Sequence, residues 1–322
     1  MSKDILSFGK YTLEVEKNAI DSAAAKLDGN FVKAVDFIMK CRGRVVVTGM
    51  GKSGHIAQKI AATLSSTGTP SFFMHPAEGV HGDLGMLVRG DVVIALSYSG
   101  ETEEIKSILP IIKRLELPLI SITGNVNSVL GRKSDAVLDG NIEKEACPMN
   151  LAPTSSTTVA LALGDAIAVA LVECRDFKAE DFALVHPSGA LGRKLLLTVE
   201  DLWHTGDELP LTTLDMPLKD ILYVISSKRF GCAAVADGNG KLIGIITDGD
   251  LRRAMEKYSD IMQIPVGNIM SGNPKRIAPG VLAAHALAIM EKYSITSLLS
   301  VDEEDRPIGI IHLHDLLRAG LA

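Results

Sequence analysis

Residues 44–54 read Arg-Val-Val-Val-Thr-Gly-Met-Gly-Lys-Ser-Gly, and the stretch from Ser53 to Ser66 then takes on helical spacing. An apolar run that ends in glycines and passes into a helix reads as a buried strand, a tight turn and a helix start. Without polar alternation, both faces of the strand must be covered. The same texture repeats outward. Ser71–Met74, Asp91–Leu96, Leu117–Ile122 and Ala136–Leu138 read as further strands, with a helix over Thr102–Leu115. Ahead of them, Tyr11, Val15, Ala19, Ile20 and Ala23 recur at helical spacing, as do Phe31, Ala34, Val35 and Ile38. Apolar strands alternating with helices predict an α/β fold. Its five-stranded parallel sheet is flanked by helices, and loops at the strands' carboxyl ends hold the ligand.

Near residue 200 the texture changes to an internal repeat. Lys241–Ala254 reads KLIGIITDGDLRRA, and Arg306–Ala319 reads RPIGIIHLHDLLRA, at an offset of 65. Two copies make one pseudo-symmetric α+β module rather than an open-ended array. The expected organisation is 1–200 for the α/β domain, 201–262 for the first copy and 263–322 for the second. The Ala-rich run Thr157–Cys174 has the length of a membrane span, but Asp165 stands in its middle. A carboxylate at bilayer depth is costly, so the run is expected to be a core helix.

The chain has 322 residues, 33 basic and 39 acidic side chains, a net charge of −6 and only 4% aromatic residues. That composition lacks the basic stripe and the stacking platforms of nucleic-acid binders. Residues 1–200 carry a net charge of −2 and 201–322 a net of −4, so neither part offers a cationic surface to anionic lipid. Cys41, Cys147, Cys174 and Cys232 form no close-spaced pair, which predicts neither a zinc site nor a disulfide framework and fits a reducing cytoplasm. No secretory signal is read at the start, so a cytoplasmic location is expected. A small polar ligand held by loops is the expectation that remains.

Three loops carry the chemistry. Gly49-Met-Gly-Lys-Ser-Gly54 has the GxGxxG spacing, but no acidic residue follows the second strand to bind a ribose, and the Walker A glycine is replaced by Val46. What survives is an anion site: glycines expose N–H groups at a helix start, and Lys52 adds a charge. Ser97-Tyr-Ser-Gly-Glu-Thr102 follows a strand and opens a helix, with hydroxyls enough to surround a phosphate; capping alone needs one. Pro153-Thr-Ser-Ser-Thr-Thr158 repeats that design before the Ala-rich helix. Taken singly, Lys52 also fits a solvated lysine in a tight turn. Glu104 fits a first-turn acid, Glu145 a partner of Lys144 or of solvent, and His186 a turn residue.

Together the SxSGxT at 97–102, the GxGKSG at 49–54 and the hydroxyl cluster resemble a sugar isomerase (SIS) domain of flavodoxin-like fold. The repeat resembles a tandem cystathionine β-synthase (CBS) pair. With HPAEGVHGDLG at 75–85 and HPSGALGRKL at 186–195, the whole chain resembles the D-arabinose 5-phosphate isomerase family. The resemblance implies interconversion of D-ribulose 5-phosphate and D-arabinose 5-phosphate through an enediol(ate). This reaction feeds the Kdo sugar of lipopolysaccharide or capsule.

By that resemblance Ser97, Ser99 and Thr102 anchor the phosphate, and Lys52 stabilises negative charge on a sugar oxygen. Glu104 or Glu145 is the base, workable if partial burial raises its pKa. His186 moves protons between oxygens or opens a ring, acting across a subunit interface. Gly68, Thr69, His75 and His81 touch substrate. No cofactor or catalytic metal is implied, though zinc can occupy His75 as an inhibitor. The CBS pair is expected to bind a nucleotide or CMP-Kdo effector through Thr247 and Asp250, or to serve only structure. A homo-oligomer, a tetramer, is implied. The alternative is a non-catalytic phosphosugar sensor, against which residues 1–43 offer no basic recognition helix.

Overall fold

The computed structural model describes residues 4–321, which form two compact units, one ending at Phe182 and the other beginning at Ala183. In the first unit α1 (Ile5–Ala25) and α2 (Gly29–Met39) precede β1 (Val45–Gly49), α3 (Gly51–Ser66), β2 (Ser71–Met74) and α4 (Pro76–Val80). There follow β3 (Val92–Leu96), α5 (Glu103–Arg114), β4 (Leu119–Thr123), α6 (Val129–Lys133), β5 (Ala136–Asp139) and α7 (Ser155–Arg175). The strands pair in parallel in the order β2-β1-β3-β4-β5. This is the flavodoxin-like arrangement expected above.

Every residue of β1, β3 and β4 is buried, including the polar Thr48, Ser121 and Thr123 that stand among their apolar neighbours. Successive residues serve opposite faces. Val45 and Val47 pack with Ile38, Ile60, Leu64 and Ile167 on one side, and Val46 lies with Ile105, Ile108 and Leu130 on the other. Helix α7 is long and apolar enough to cross a membrane. In the fold it packs on α1 and α3 and buries Val159, Leu163, Ile167 and Leu171 in the core. Its Asp165 is paired with Lys59 of α3, Nζ to Oδ2 at 2.7 Å.

After α8 (Ala179–Val185) and α9 (Ala190–Leu196), the second unit contains β6 (Leu211–Thr213), α10 (Leu218–Lys228), β7 (Cys232–Ala236), β8 (Leu242–Thr247) and α11 (Asp248–Lys257). Then come β9 (Ser271–Gly272), β10 (Arg276–Ile277), α12 (Ala283–Tyr293), β11 (Ser297–Val301), β12 (Pro307–His312) and α13 (Leu313–Arg318). The repeated sequence is a repeated fold: α10, β7 and β8 return as α12, β11 and β12, each at the offset of 65.

The expected breaks at 200/201 and 262/263 fall inside packed segments. Val199, Leu202 and Trp203, which open the first copy, join the core of the second. Val266, Ile269 and Met270, which open the second, join the core of the first, and β9 completes the first copy's sheet beside β8. Upstream, Leu197 O accepts from Ala283 N–H at 2.8 Å, which ties residues before 200 to the same unit. The repeated glycines are where the crossed segments approach. A Cβ on Gly309 would collide with the Trp203 ring, and one on Gly244 with the Met270 sulfur.

Candidate active site

The chain leaves β1 for the edge strand β2 and returns on the other side as β3. Loops after β1 and β3 therefore diverge, and a crevice opens at the carboxyl ends of these strands. The glycine loop and the hydroxyl loop border it. A Cβ on Gly54 would lie 2.7 Å from Gly49 O, so only glycine lets α3 start this close to β1. Helix α3 begins at Gly51, two residues ahead of the sequence reading, and Lys52 stands exposed in its first turn.

In the hydroxyl loop Ser97 is 4% exposed. Its Oγ lies 2.8 Å from Thr102 Oγ1 and accepts from Gly100 N–H at 3.1 Å. Ser99 Oγ accepts from Glu101 N–H at 3.2 Å. Thr102 is the cap residue of α5, yet its side chain makes no capping bond. The hydroxyls thus brace the loop while the first N–H groups of α5 stay open to an anion. Glu104 follows in the first turn of α5, half-buried, and among the described residues no donor reaches its carboxylate.

Glu145 is placed differently. Its carboxylate accepts from Thr154 N–H at 2.8 Å, Thr154 Oγ1 at 3.0 Å, Ser156 N–H at 3.2 Å and the Ser156 hydroxyl. It caps the amino end of α7. Burial pushes its pKa up, but the bonds from Ser156 and Thr154 outweigh burial and hold the carboxyl below its ordinary value. The raised pKa set out above as the condition for a carboxylate base is not met at Glu145.

Ser53, Tyr98 and Ser156 meet Glu145 and Lys144 around a cavity of about 250 Å³. The same three residues line a narrow adjoining cleft with Ser97, Thr123 and Thr157. A larger cavity, about 490 Å³ between α5 and α6, contains none of the candidate residues. Ser53 and Ser156 were not singled out from sequence, although both stand in loops read there as ligand-bearing. The Glu145–Ser156 contact had no local signal, since it joins a loop residue to a helix start eleven positions away.

His75 follows β2 at the same end of the sheet, half-buried, with Nδ1 buried and without a hydrogen-bond partner. His81 is exposed at the end of α4, which packs on α5. Among the described residues no group of three or more metal-ligating side chains comes together, at His75 or elsewhere. Gly68 and Thr69 stand apart. They precede β2, and α3 carries them ~24 Å from Lys52, at the amino ends of the strands. Thr69 is 2% exposed, and Arg175 donates both to its hydroxyl and to Gly68 O. Within one chain they do not join the crevice.

His186 belongs to the second unit, half-buried in a turn where its carbonyl accepts from Gly189 N–H at 3.1 Å. Thr247 and Asp250 form a reciprocal cap on α11. Asp250 is 4% exposed and accepts from Thr247 Oγ1 at 2.6 Å, Arg253 at 2.6 Å and Ser271 at 2.9 Å. Burial raises its pKa, and the bonds from Thr247 and Ser271 more than reverse this. Both carboxylate oxygens are thus engaged within the protein rather than turned to a ribose.

Residues 38–170 match the SIS domain, and residues 199–257 and 266–322 match the CBS domain. The chain is 52% identical over 318 residues to arabinose 5-phosphate isomerase KdsD of Pseudomonas aeruginosa, covering 99% of this chain and 98% of that one. It is 49% identical over 318 residues to KdsD of Escherichia coli K12, covering 99% and 97%. A solved protein of E. coli CFT073, in complex with arabinose 5-phosphate, is 43% identical, with a TM-score of 0.56 over 58% of this chain and 100% of that one. With such identity along nearly its whole length and the two loops in place at the sheet's switch point, this chain belongs to the arabinose 5-phosphate isomerase family, a SIS domain joined to paired CBS domains.

Proposed function

We propose that the chain is an aldose–ketose isomerase that interconverts D-ribulose 5-phosphate and D-arabinose 5-phosphate. The observation that carries this is the switch-point crevice, with a phosphate-sized hydroxyl loop one helical turn from an unpaired carboxylate, in a chain about half identical to isomerases of that name. The loop Ser97–Thr102 and the start of α5 take the phosphate, which positions C1 and C2. Glu104 removes the proton from the carbon next to the carbonyl, and Lys52 offsets the negative charge that develops on oxygen as the enediolate forms. The Glu104 carboxyl exchanges its proton with solvent and then protonates the neighbouring carbon, which completes the isomerisation. His186, from another subunit, moves the proton between O1 and O2. The reaction needs no redox cofactor; zinc at His75 would block it.

In this reading the product feeds Kdo for lipopolysaccharide or capsule, in the cytoplasm, and the protein works as a tetramer. Of Gly68, Thr69 and His81, the exposed His81 then reaches substrate from a neighbouring chain, and Gly68 and Thr69, held by Arg175, support that contact from behind. The CBS pair takes a nucleotide-type effector such as CMP-Kdo, met by groups other than the engaged Asp250. Calorimetry with CMP-Kdo, AMP and ATP that showed no heat would remove that part.

The decisive experiment is a coupled assay on ribulose 5-phosphate in deuterated water. Arabinose 5-phosphate carrying deuterium at C2 is the expected product. Ribose 5-phosphate, or no turnover, would overturn the assignment, and product without deuterium would overturn the enediolate route.

A further inference from the structure

The second unit holds a cluster of ionisable groups that the proposed reaction does not use. His204 ends the crossed segment that completes the second copy's sheet. Its N–H donates to Ile310 O at 2.7 Å, and its carbonyl accepts from Ile310 N–H at 2.9 Å. Its neighbour Trp203 fills the space over Gly309. The imidazole lies between two carboxylates, Nδ1 at 2.7 Å from Glu208 Oε2 and Nε2 at 3.1 Å from Asp315 Oδ2. Neutral imidazole has one N–H and one lone pair. Only the imidazolium donates to both carboxylates at once.

The surrounding groups sharpen this. His204, Glu208 and Asp315 line a cavity of about 500 Å³ with His312, His314, Arg318, Lys228 and Arg229. The Phe230 ring closes on His204 at 5.0 Å. Burial pushes the His204 pKa down, yet the bonds to Glu208 and Asp315 outweigh it and leave the pKa raised. His312 moves the other way, pushed down by burial and by His314. Of His204 and His312, His204 is therefore the ring favoured to hold its charge.

The two carboxylates are not equivalent. Asp315 caps α13, accepts from His312 N–H at 3.1 Å, and its side chain is 15% exposed. The Glu208 side chain is 67% exposed. When the ring loses a proton to solvent, one carboxylate must face a lone pair. Asp315 is pinned, so Glu208 is the one that turns to water. We infer that His204 is a proton-operated latch: protonated, it ties Glu208 to α13 along the cavity wall, and deprotonated, it releases Glu208 and loosens the seam between the two copies. In stability terms, the latch is fully closed below the ordinary imidazole value and is lost as pH rises through the raised one.

Trp203 is the chain's single tryptophan and lies beside the latch, so the intact protein reports on itself. Histidine-selective NMR on the full chain, assigned by His204→Gln, should place the His204 midpoint above ~6.5. Glu208→Gln should lower it by roughly 0.5–1 unit. Trp203 emission should change at the same midpoint in the wild type and lose that change in His204→Gln. A midpoint at or below ~6.5, one unmoved by Glu208→Gln, or a silent Trp203 overturns the latch. If His204→Gln fails to fold, the Trp203 emission midpoint and its shift in Glu208→Gln decide.

Discussion

The carboxylate of Glu145 accepts the backbone N–H of Ser156 at 3.2 Å and the Ser156 hydroxyl as well. A loop residue thus does for α7 what a capping Ser or Asp usually does from the adjacent position. The contact also separates the two candidate bases, because Glu145 is tied to a helix start while Glu104 is not.

Replacing Ser156 with alanine removes one donor and leaves the carboxylate less well satisfied. The Glu145 pKa should rise, and the first unit should lose about 1 kcal/mol at neutral pH, the usual worth of a cap. A depressed folded pKa stabilises above the ordinary carboxylate value, and that contribution fades as pH falls through the folded value. Urea unfolding followed by circular dichroism should therefore show wild type and Ser156→Ala converging in acid. A gap that stays constant with pH would mean that the hydroxyl does not act through the ionised carboxylate.

Glu104→Gln should abolish solvent deuterium incorporation into product, with turnover down by roughly 10²–10⁴. Glu145→Gln should lower turnover less and leave exchange measurable, since it disturbs a wall of the cavity rather than the proton acceptor. The reverse order would move the base to Glu145 and require its hydrogen bonds to Thr154 and Ser156 to open on binding.

The strands were legible because each is a short, mostly apolar run, and the central ones have no other stable home than a doubly covered sheet. The phosphate loop was legible for the same local reason: Ser97, Ser99 and Thr102 stand together in sequence. Gly68 and Thr69 were not. Their distance from Lys52 is set by the length of α3, which the helical spacing of Ser53–Ser66 displayed, but the resemblance grouped them with the substrate loops regardless. Nor were Trp203 over Gly309 and Met270 beside Gly244, because the repeat shows which residues correspond but not that each copy's opening segment packs on the other. The resemblance to CBS pairs implies Thr247 and Asp250 as effector contacts, whereas their spacing of three makes the two residues satisfy each other.

Gly309 and Gly244 occupy matching places but should not respond alike to alanine. The new methyl at Gly309 meets the rigid Trp203 ring, whereas at Gly244 it meets chiefly the flexible Met270 side chain, with the Ser271 carbonyl oxygen at 3.1 Å. Overpacking typically costs 1–3 kcal/mol, so Gly309→Ala is expected at about 2–3 kcal/mol and Gly244→Ala at about 1 kcal/mol. Trp203 fluorescence in urea measures both. Equal losses would mean that the seam yields as a whole.

Asp250→Asn keeps the shape but turns an acceptor-only group into one with an N–H₂ where Thr247, Arg253 and Ser271 all donate. Hydrogen bonds to buried charge are worth about 1.5–3 kcal/mol each, so the second unit should lose about 3 kcal/mol at neutral pH. Since the folded pKa of Asp250 is depressed, the wild type's advantage should be complete above the ordinary carboxylate value and shrink as pH falls through the folded one. A loss of effector binding without any loss of stability would instead return Asp250 to the ribose role.

Gly100 sits at φ +67° in the middle of the phosphate loop, and a Cβ there would collide with Ser128 Oγ. Gly100→Ala carries two penalties: a left-handed backbone, about 1–2 kcal/mol for a residue with a Cβ, and the collision. Both displace Ser97 and Ser99 from the phosphate, which is held alike in ground and transition states. KM should therefore rise about tenfold or more, with a smaller change in kcat. Ser128→Gly bears on the second penalty alone, because it removes both the colliding oxygen and the Ser128 Cβ that would lie 2.5 Å from the new methyl. Its own cost is roughly a few tenths of a kcal/mol for the lost cap of α6, where Ser128 Oγ accepts from Gly131 N–H at 3.1 Å. The double variant should recover part of the lost affinity and leave the backbone strain with a 3.0 Å approach to Thr123 Oγ1. If its KM matches that of Gly100→Ala alone, the left-handed turn, not the packing against Ser128, is what makes glycine necessary.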